Sequence, residues 1–328
     1  MLHNWAILSL RQAIAEDFAQ HYGPTIDPRT VLITAGAQQA LYVITRALIR
    51  PGDAIAIEQP SYYYSWTLFQ SAGLRLLPIL MDKQGIVPEA LDILIREKRP
   101  AMVLINPTHH NPTTTTLPEN RRIEVLDICR RWNIPLVEDD ALGYLSVFGT
   151  PRPPRPLKVL DTEYRVIYVS TLSKIAAPGL RIGWVIAPKP ILDRLADIKG
   201  QIDLGMTGVS QILAAKFLSS PFWPQHVVKV QQALRARRDH LTQALKEYLP
   251  KNLTVNTPNG GLYFWIHGQG SESDLQRLDE AIRHGMIYVP GRFYGSPDGF
   301  LRLNYVWEEQ NKIESVLPQL RSILTGPS

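Results

Sequence analysis

The segment Ser170-Thr171-Leu172-Ser173-Lys174-Ile175-Ala176-Ala177-Pro178-Gly179-Leu180-Arg181 follows an apolar run and sets a primary amine between hydroxyls, with an arginine seven residues on. A lysine amine is a nucleophile toward carbonyl carbon, and hydroxyls with a guanidinium are the donors that a phosphate dianion needs. A lone lysine is usually a solvated surface group, so the segment draws its meaning from two others. Thr34-Ala35-Gly36-Ala37-Gln38-Gln39 lies where a β-branched run turns into a helical one. Backbone N–H groups at such a turn make an anion site, and the glycine permits close approach. Val137-Glu138-Asp139-Asp140 ends another apolar run, and an acid at the carboxyl end of a strand in an open α/β sheet points into the ligand crevice. A metal pair is the competing reading of Asp139 and Asp140. No His or carboxylate spacing nearby completes a ligand set, and the adjacent His109 and His110 would diverge on a strand, so no metal is expected.

The elements that must position these groups alternate. Strand-length runs Val31–Thr34, Ala54–Ile57, Leu74–Leu80, Ala101–Ile105, Leu136–Val137, Val166–Val169 and Ile182–Ala187 are interleaved with helical patterns at Ala37–Ile49, Tyr62–Phe69, Pro88–Glu97 and from Pro118 onward. Such alternation predicts an α/β fold with a mainly parallel sheet flanked by helices. Past Lys189 long helices dominate (Pro190–Ile202, Gly208–Leu218, Gln225–Tyr248), followed by short strands at Leu262–Trp265 and Phe300–Leu303 and a last helix over Glu308–Leu324. The expected division is a large α/β domain over 20–203 and a smaller α+β domain over 204–328 plus 1–19. The length of 328 residues fits two domains, at about 150 residues each. The proline-rich stretch Thr150–Pro156 reads as an exposed loop within the first domain.

Composition excludes several classes. With 45% hydrophobic and 20% charged residues the chain is globular. No run approaches the roughly 18 apolar residues of a membrane helix, and Met1–Leu10 lacks the basic-then-apolar order of a signal peptide. Cys129, the single cysteine, cannot form an internal disulfide, which makes a reducing cytoplasm the expectation; its amphipathic setting marks a buried structural thiol. The net charge of +5 raises nucleic acid as a partner. The basic residues, however, are spread over Arg121-Arg122, Arg130-Arg131, Arg152, Arg155 and Arg235/Arg237/Arg238, and no zinc-finger or aromatic-rich motif accompanies them. They argue against a nucleic-acid partner, and Leu234–Arg238 reads as a solvated helix face.

Taken in order, these segments resemble the class I/II aminotransferases, fold-type-I enzymes dependent on pyridoxal 5′-phosphate (PLP). The subgroup most similar contains the 2-aminoadipate and kynurenine aminotransferases and the aminotransferase-like domain of MocR-type regulators. The resemblance runs from about Leu10 to about Leu324. It implies that Lys174 forms the Schiff base with PLP, that Thr171, Ser173 and Arg181 join Gly36, Ala37 and Gln38 in holding the phosphate, and that Tyr62, in Gln59-Pro60-Ser61-Tyr62, stacks on the pyridine. It further implies that Asn111, in Asn111-Pro112-Thr113, bonds the phenolic oxygen, that Asp139 pairs with the pyridine nitrogen, and that Arg302, in Phe300-Leu301-Arg302-Leu303-Asn304, binds the substrate carboxylate. Pro258–Trp265 and Val289–Phe293 match family segments as well.

Three departures stand out. Family members usually carry an N-terminal substrate-contacting segment before the helix represented here by Leu10-Arg11-Gln12-Ala13-Ile14, so that segment is expected to be missing or very short. Thr114 stands where the family has glycine after Asn-Pro-Thr. Ala141 and Leu142 stand where a cofactor-bonding tyrosine is expected, leaving Tyr144 as the one nearby substitute. The resemblance implies amino-group transfer between an L-amino acid and a 2-oxo acid by a ping-pong cycle with Lys174 as the proton carrier. Another PLP reaction (elimination, decarboxylation, oxidation or cyclisation) and a non-catalytic ligand-sensing domain are the alternatives. A cytoplasmic homodimer acting on small molecules, away from membranes, is the implied setting.

Overall fold

The computed structural model describes residues 6–250, 253–268 and 273–325. The ends of the expected smaller domain, residues 1–5 and 326–328, lie outside them, as do 251–252 and 269–272. The apolar runs form β1 (Val31–Thr34), β2 (Ala54–Gln59), β3 (Arg75–Asp82), β4 (Gly85–Ile86), β5 (Met102–Ile105), β6 (Leu136–Asp139), β7 (Val166–Thr171) and β8 (Gly183–Ile186). They make one sheet in the order β1-β8-β7-β6-β5-β2-β3-β4. From β7 through β6, β5 and β2 to β3 every pairing is parallel. The departure from a wholly parallel sheet is β8, which runs antiparallel to both β1 and β7, with β4 folded back on β3 at the far edge. The β7–β8 connection is too short to hold a crossover helix, so β8 can only return in the opposite direction. That connection carries Lys174 and Arg181.

The helices are α1 (Leu8–Tyr22), α2 (Ala37–Leu48), α3 (Tyr63–Ser71), α4 (Pro88–Lys98), α5 (Glu119–Arg131), α6 (Leu157–Leu160), α7 (Lys189–Asp203), α8 (Gly208–Leu218), α9 (Phe222–Tyr248), α10 (Asp274–Arg283) and α11 (Gln310–Thr325). Period-two alternation assigns them to the two faces of the sheet. Leu32, Ile55, Ile57, Val137, Ile167 and Val169 pack with Ile44 of α2, Phe69 of α3 and Leu192 of α7. Ala56, Val103, Ile105, Leu136 and Val166 face the other way, onto Leu91 of α4 and Val125, Ile128 and Cys129 of α5. Toward the β1 edge that second face continues through Val31, Ile33, Tyr168 and Trp184 into a cluster with α1, α8 and α9. Cys129 is fully buried, and burial pushes its thiol up to about 12, which fits a structural role.

A second sheet, in the order β11-β12-β10-β9, is antiparallel throughout: β9 (Thr254–Val255), β10 (Tyr263–His267), β11 (Val289–Pro290) and β12 (Phe300–Asn304). Sequence periodicity overlooked α10, although Ser273 and Gln276 form a reciprocal capping box at its start. The Arg235–Arg238 stretch is less solvated than expected. Arg237 donates to the carbonyls of Val306 and Glu308, and Arg238 to that of Pro258, tying α9 to the segments around the second sheet.

Candidate active site

The carboxyl ends of β6 and β7, the β5–α5 loop and the start of α2 enclose a cavity of about 290 Å³. Gly36, Ala37, Gln38, Tyr62, Asn111, Asp139, Thr171, Ser173, Lys174 and Arg181 all line it, so ten residues singled out on five separate segments meet at one place. Leu41, Tyr64, Asn106, Ala141, Leu142 and Tyr263 complete the lining.

One end of the cavity is built for an anion. Gly36 has φ +93 and precedes the first turn of α2, whose unpaired N–H groups point outward. A Cβ at Gly36 would stand 2.8 Å from Nη2 of Arg181, so glycine lets the guanidinium lie against the helix start. Arg181 also donates to the Ala35 carbonyl at 2.8 Å, while Gln39 accepts from the Ala35 N–H at 2.7 Å, which clamps the turn from both sides. Thr171 is buried; its hydroxyl donates to the Ile182 carbonyl and lies 3.0 Å from Ser173 Oγ, fixing both hydroxyls at the mouth of the β7–β8 loop.

Lys174 is open to the cavity, yet its pKa is lowered: surrounding protein desolvates the ammonium, and Arg302 and Arg181 repel it more than Asp139 holds it. Asp139 moves the other way. Burial pushes its carboxyl up to about 7, and the Ala141 N–H, donating at 3.2 Å, only partly offsets this. Tyr62 immediately precedes α3, and its hydroxyl is pushed up to about 12, again chiefly by burial.

Arg302 lies beside the cavity rather than in its wall. Its Nη1 donates to Asn111 Oδ1 at 2.8 Å, and its guanidinium carbon sits 3.9 Å from the Tyr263 ring centre and 5.0 Å from that of Tyr294. No carboxylate of the described residues pairs with it, and its Nε is buried with no partner. A planar fork held between aromatic faces, with donors to spare, suits a carboxylate ligand. Together Lys174, Arg181 and Arg302 set three cations against the single acid Asp139, a balance that favours an anionic occupant.

The departures also find their places. Thr114 sits at φ +62, the left-handed conformation that glycine adopts without strain. Ala141 and Leu142 present apolar wall where a phenol was expected. Tyr144 does not replace that phenol: it is buried among α1 and α9 side chains and its hydroxyl donates to Asp17, which also accepts from Trp223 Nε1 at 2.5 Å. His109 is buried with its pKa lowered to about 4 by desolvation, and faces Ser146 and Thr116. Among the described residues no cluster of His, Cys, Asp or Glu could hold a metal. Asn106 is the residue that motif reading missed. A signal existed, because Asn-Pro-Thr occurs twice, at Asn106 and again at Asn111.

A mainly parallel α/β sheet whose strand ends bring a lysine, a helix-start anion site and a buried aspartate to one cavity defines the fold-type-I class. The chain belongs to the aminotransferase class I and II family, which it matches over residues 3–315. It is 35% identical over 314 residues to the uncharacterized HTH-type transcriptional regulator YdfD of Bacillus subtilis, an alignment covering 95% of this chain and 64% of that protein. The chain thus spans a little under two thirds of that relative's length. It is 33% identical to aromatic-amino-acid aminotransferase 1 of Thermococcus litoralis, covering 95% of this chain and 76% of that one. The crystal structure of Pyrococcus horikoshii kynurenine aminotransferase, in complex with PMP, superposes with a TM-score of 0.92 at 29% identity, over 98% of this chain and 81% of that one.

Proposed function

We propose that this chain is a PLP-dependent aminotransferase that moves an amino group between an L-amino acid and a 2-oxo acid in a ping-pong cycle. The observation that carries the reading is the convergence of Lys174, Asp139, Arg181 and the α2 start on one cavity. The residues present suit PLP: two hydroxyls, a guanidinium and a glycine-opened helix start for the phosphate, an acid for the ring nitrogen, Asn111 for the phenolic oxygen, Tyr62 as a stacking face and an amine within the same space. Bound there, PLP supplies a carbonyl that condenses with amines and a ring that takes up the electron pair left at the substrate Cα.

The chain's own groups do the rest. Arg302 grips the substrate carboxylate and so orients the Cα–H bond, an effect that can be worth several kcal/mol. Lys174 Nζ, its pKa lowered, has a larger share of neutral amine than a surface lysine and so serves as base, carrying the proton from Cα and returning it during transfer. Asp139 keeps a proton on the ring nitrogen. Leu142 and Tyr263 present apolar surface that keeps water away from the reacting atoms.

The test is a half-reaction. Mixing the PLP-loaded protein with amino acids should produce pyridoxamine phosphate, and Lys174→Ala should lose both that product and the visible absorbance of the lysine-bound cofactor. Full activity in Lys174→Ala would sink the proposal. A second reading, a domain that binds cofactor and amino acid without turnover, is favoured by the 35% identity to a protein named as a transcriptional regulator; binding without pyridoxamine phosphate formation would select it. The proposal includes a division near residues 203/204 into a PLP-binding domain and a smaller one, a cytoplasmic location and a homodimer. Exposed Leu204, Val209, Ile212 and Leu213, at the end of α7 and along α8, support an interface, and light scattering would measure it. In the described residues no helix is long and apolar enough to cross a membrane.

A further inference from the structure

A buried carboxylate outside the groups already assigned sits directly behind the site. Glu58, near the end of β2, is 3% exposed, and its Oε2 accepts from the Asn106 N–H at 2.7 Å. The same oxygen lies 3.4 Å from Nε2 of His110, itself 1% exposed and facing Thr113 Oγ1 through Nδ1. Asn106 begins the loop after β5, and its side-chain amide is engaged through both its nitrogen and its oxygen. Its Nδ2 donates to the Asp139 carbonyl at 2.6 Å, and its Oδ1 accepts from the Asn111 N–H at 2.8 Å. Asn111 Oδ1 in turn accepts from Arg302. One side-chain amide therefore bridges the residues expected at the ring nitrogen and at the phenolic oxygen, and Glu58 holds the backbone N–H of the same residue from below.

We infer that Asn106, seated on Glu58, is a positioning residue that sets the separation of Asn111 and Asp139. The inference rests on the reading of the cavity as a PLP site. A carboxylate removed from water is costly unless donors surround it, and a link between β2 and the β5–α5 loop could be made by a neutral side chain. What Glu58 adds is a strong, directional acceptor for the Asn106 N–H, as hydrogen bonds to charged groups are shorter and stiffer than neutral ones. It also lies four residues before Tyr62, so the same anchor governs the strand end that carries the stacking ring. Asn106 acts on backbone atoms of Asp139 and Asn111 and through them on the ring contacts. Displacing it therefore shifts the two groups relative to each other rather than removing either.

The experiment titrates PLP into wild type, Asn106→Ala, Asn106→Asp, Glu58→Ala and Glu58→Gln. It follows tryptophan quenching for affinity and the pH midpoint of the visible band, with melting of each PLP-free protein in parallel. Asn106→Ala is expected to weaken PLP about tenfold, as the loss of buried hydrogen bonds does, and to move the midpoint, while melting changes by only about 3 °C. Asn106→Asp, nearly isosteric, keeps the acceptor toward Asn111 and loses the donor toward Asp139, so it should show the same two changes even where the alanine variant does not fold. Glu58→Ala should follow Asn106→Ala, and Glu58→Gln, whose amide oxygen can still accept from the Asn106 N–H, should recover most of the loss. Wild-type affinity and midpoint in both Asn106 variants would overturn the inference, as would a Glu58→Gln no better than Glu58→Ala. A wild type that takes up no PLP overturns the reading of the cavity and this inference with it; a wild type that binds while the variants match it overturns this inference alone.

Discussion

Glu138, Asp139 and Asp140 are consecutive, yet the pleat of β6 sends Glu138 and Asp140 to one face and Asp139 to the other, and the two faces treat an acid differently. On the rear face the protein supplies donors. Glu138 accepts from the N–H groups of Leu157 and Lys158, both at 2.8 Å, with the Arg122 guanidinium 3.8 Å away. Asp140 Oδ2 accepts from the Tyr168 hydroxyl at 2.7 Å and the Tyr22 hydroxyl at 3.1 Å. Burial still pushes these acids up, to about 7 for Glu138 and about 6 for Asp140, against the pull of Arg122 and the hydroxyls. On the cavity face Asp139 has one backbone N–H and is pushed up to about 7. The lesson is that the rear acids draw on donors of the protein itself, although Asp140 Oδ1 has none, whereas Asp139 keeps its open side toward the cavity.

The rear network should break most severely. Arg122 is fully buried and donates to the carbonyls of Leu117, Pro107 and Arg155 and to Thr108 Oγ1, so it holds the loop carrying Asn111 as well as facing Glu138. Arg122→Met leaves two buried acids uncompensated and is expected to cost about 3–5 kcal/mol in urea unfolding. An unchanged midpoint would show that the arginine is not the counter-charge.

Asp139→Asn should spare the fold and strike the cavity. PLP affinity is expected to fall by the about 1.5–3 kcal/mol typical of a hydrogen bond to a charged group, and titration of the cofactor measures it; wild-type affinity would remove Asp139 from the site. The PLP-free protein should respond in the opposite sense. The folded carboxyl titrates near 7 against about 3.9 in an unfolded chain. Its contribution to stability is therefore full below pH about 4 and is lost as pH rises through about 7, by at most about 1.4 kcal/mol per pH unit. Asp139→Asn lacks that loss, so its stability relative to wild type should climb between pH 4 and 7 and level off above. A flat difference would mean that Asp139 is not desolvated. Glu138 and Asp140 are common to both proteins, so they enter the comparison only through the repulsion between Asp140 and Asp139.

The smallest effect lies in the loop that Arg122 supports. Thr114→Gly relieves a left-handed residue and should stabilise the protein by about 0.5–1 kcal/mol in thermal melts. A loss instead would mean that the Thr114 hydroxyl, which donates to the Thr113 carbonyl at 2.6 Å, matters more than the backbone conformation.

Much of this was legible beforehand where the signal is local. The strand runs, the helices from Ala37 to Arg131 and the glycine at the β1–α2 junction follow from periodicity and backbone preference, and the lysine, asparagine, aspartate and arginine motifs follow from their order along the chain. The reversed β8 escaped because strand direction depends on what the connection can span. Glu58 escaped because a carboxylate inside an apolar strand carries no motif, and Asn106 because the second Asn-Pro-Thr, at Asn111, drew the match. Tyr144 was the one nearby candidate for the missing phenol, and it turns away to Asp17 because α1 and α9 close over it.

The sequence by itself determined which residue types stand at the ends of which strands, since a side-chain period of two and a helical period of 3.6 are properties of short stretches. Only the tertiary structure decided which of three adjacent acids faces the cavity, and that Arg302 reaches Asn111 across 191 residues of chain. It also decided that one side-chain amide, that of Asn106, ties Asn111 to Asp139. Those outcomes depend on strand order and on which helices cover each face, and such contacts form between segments whose separation along the chain carries no information about their distance in space.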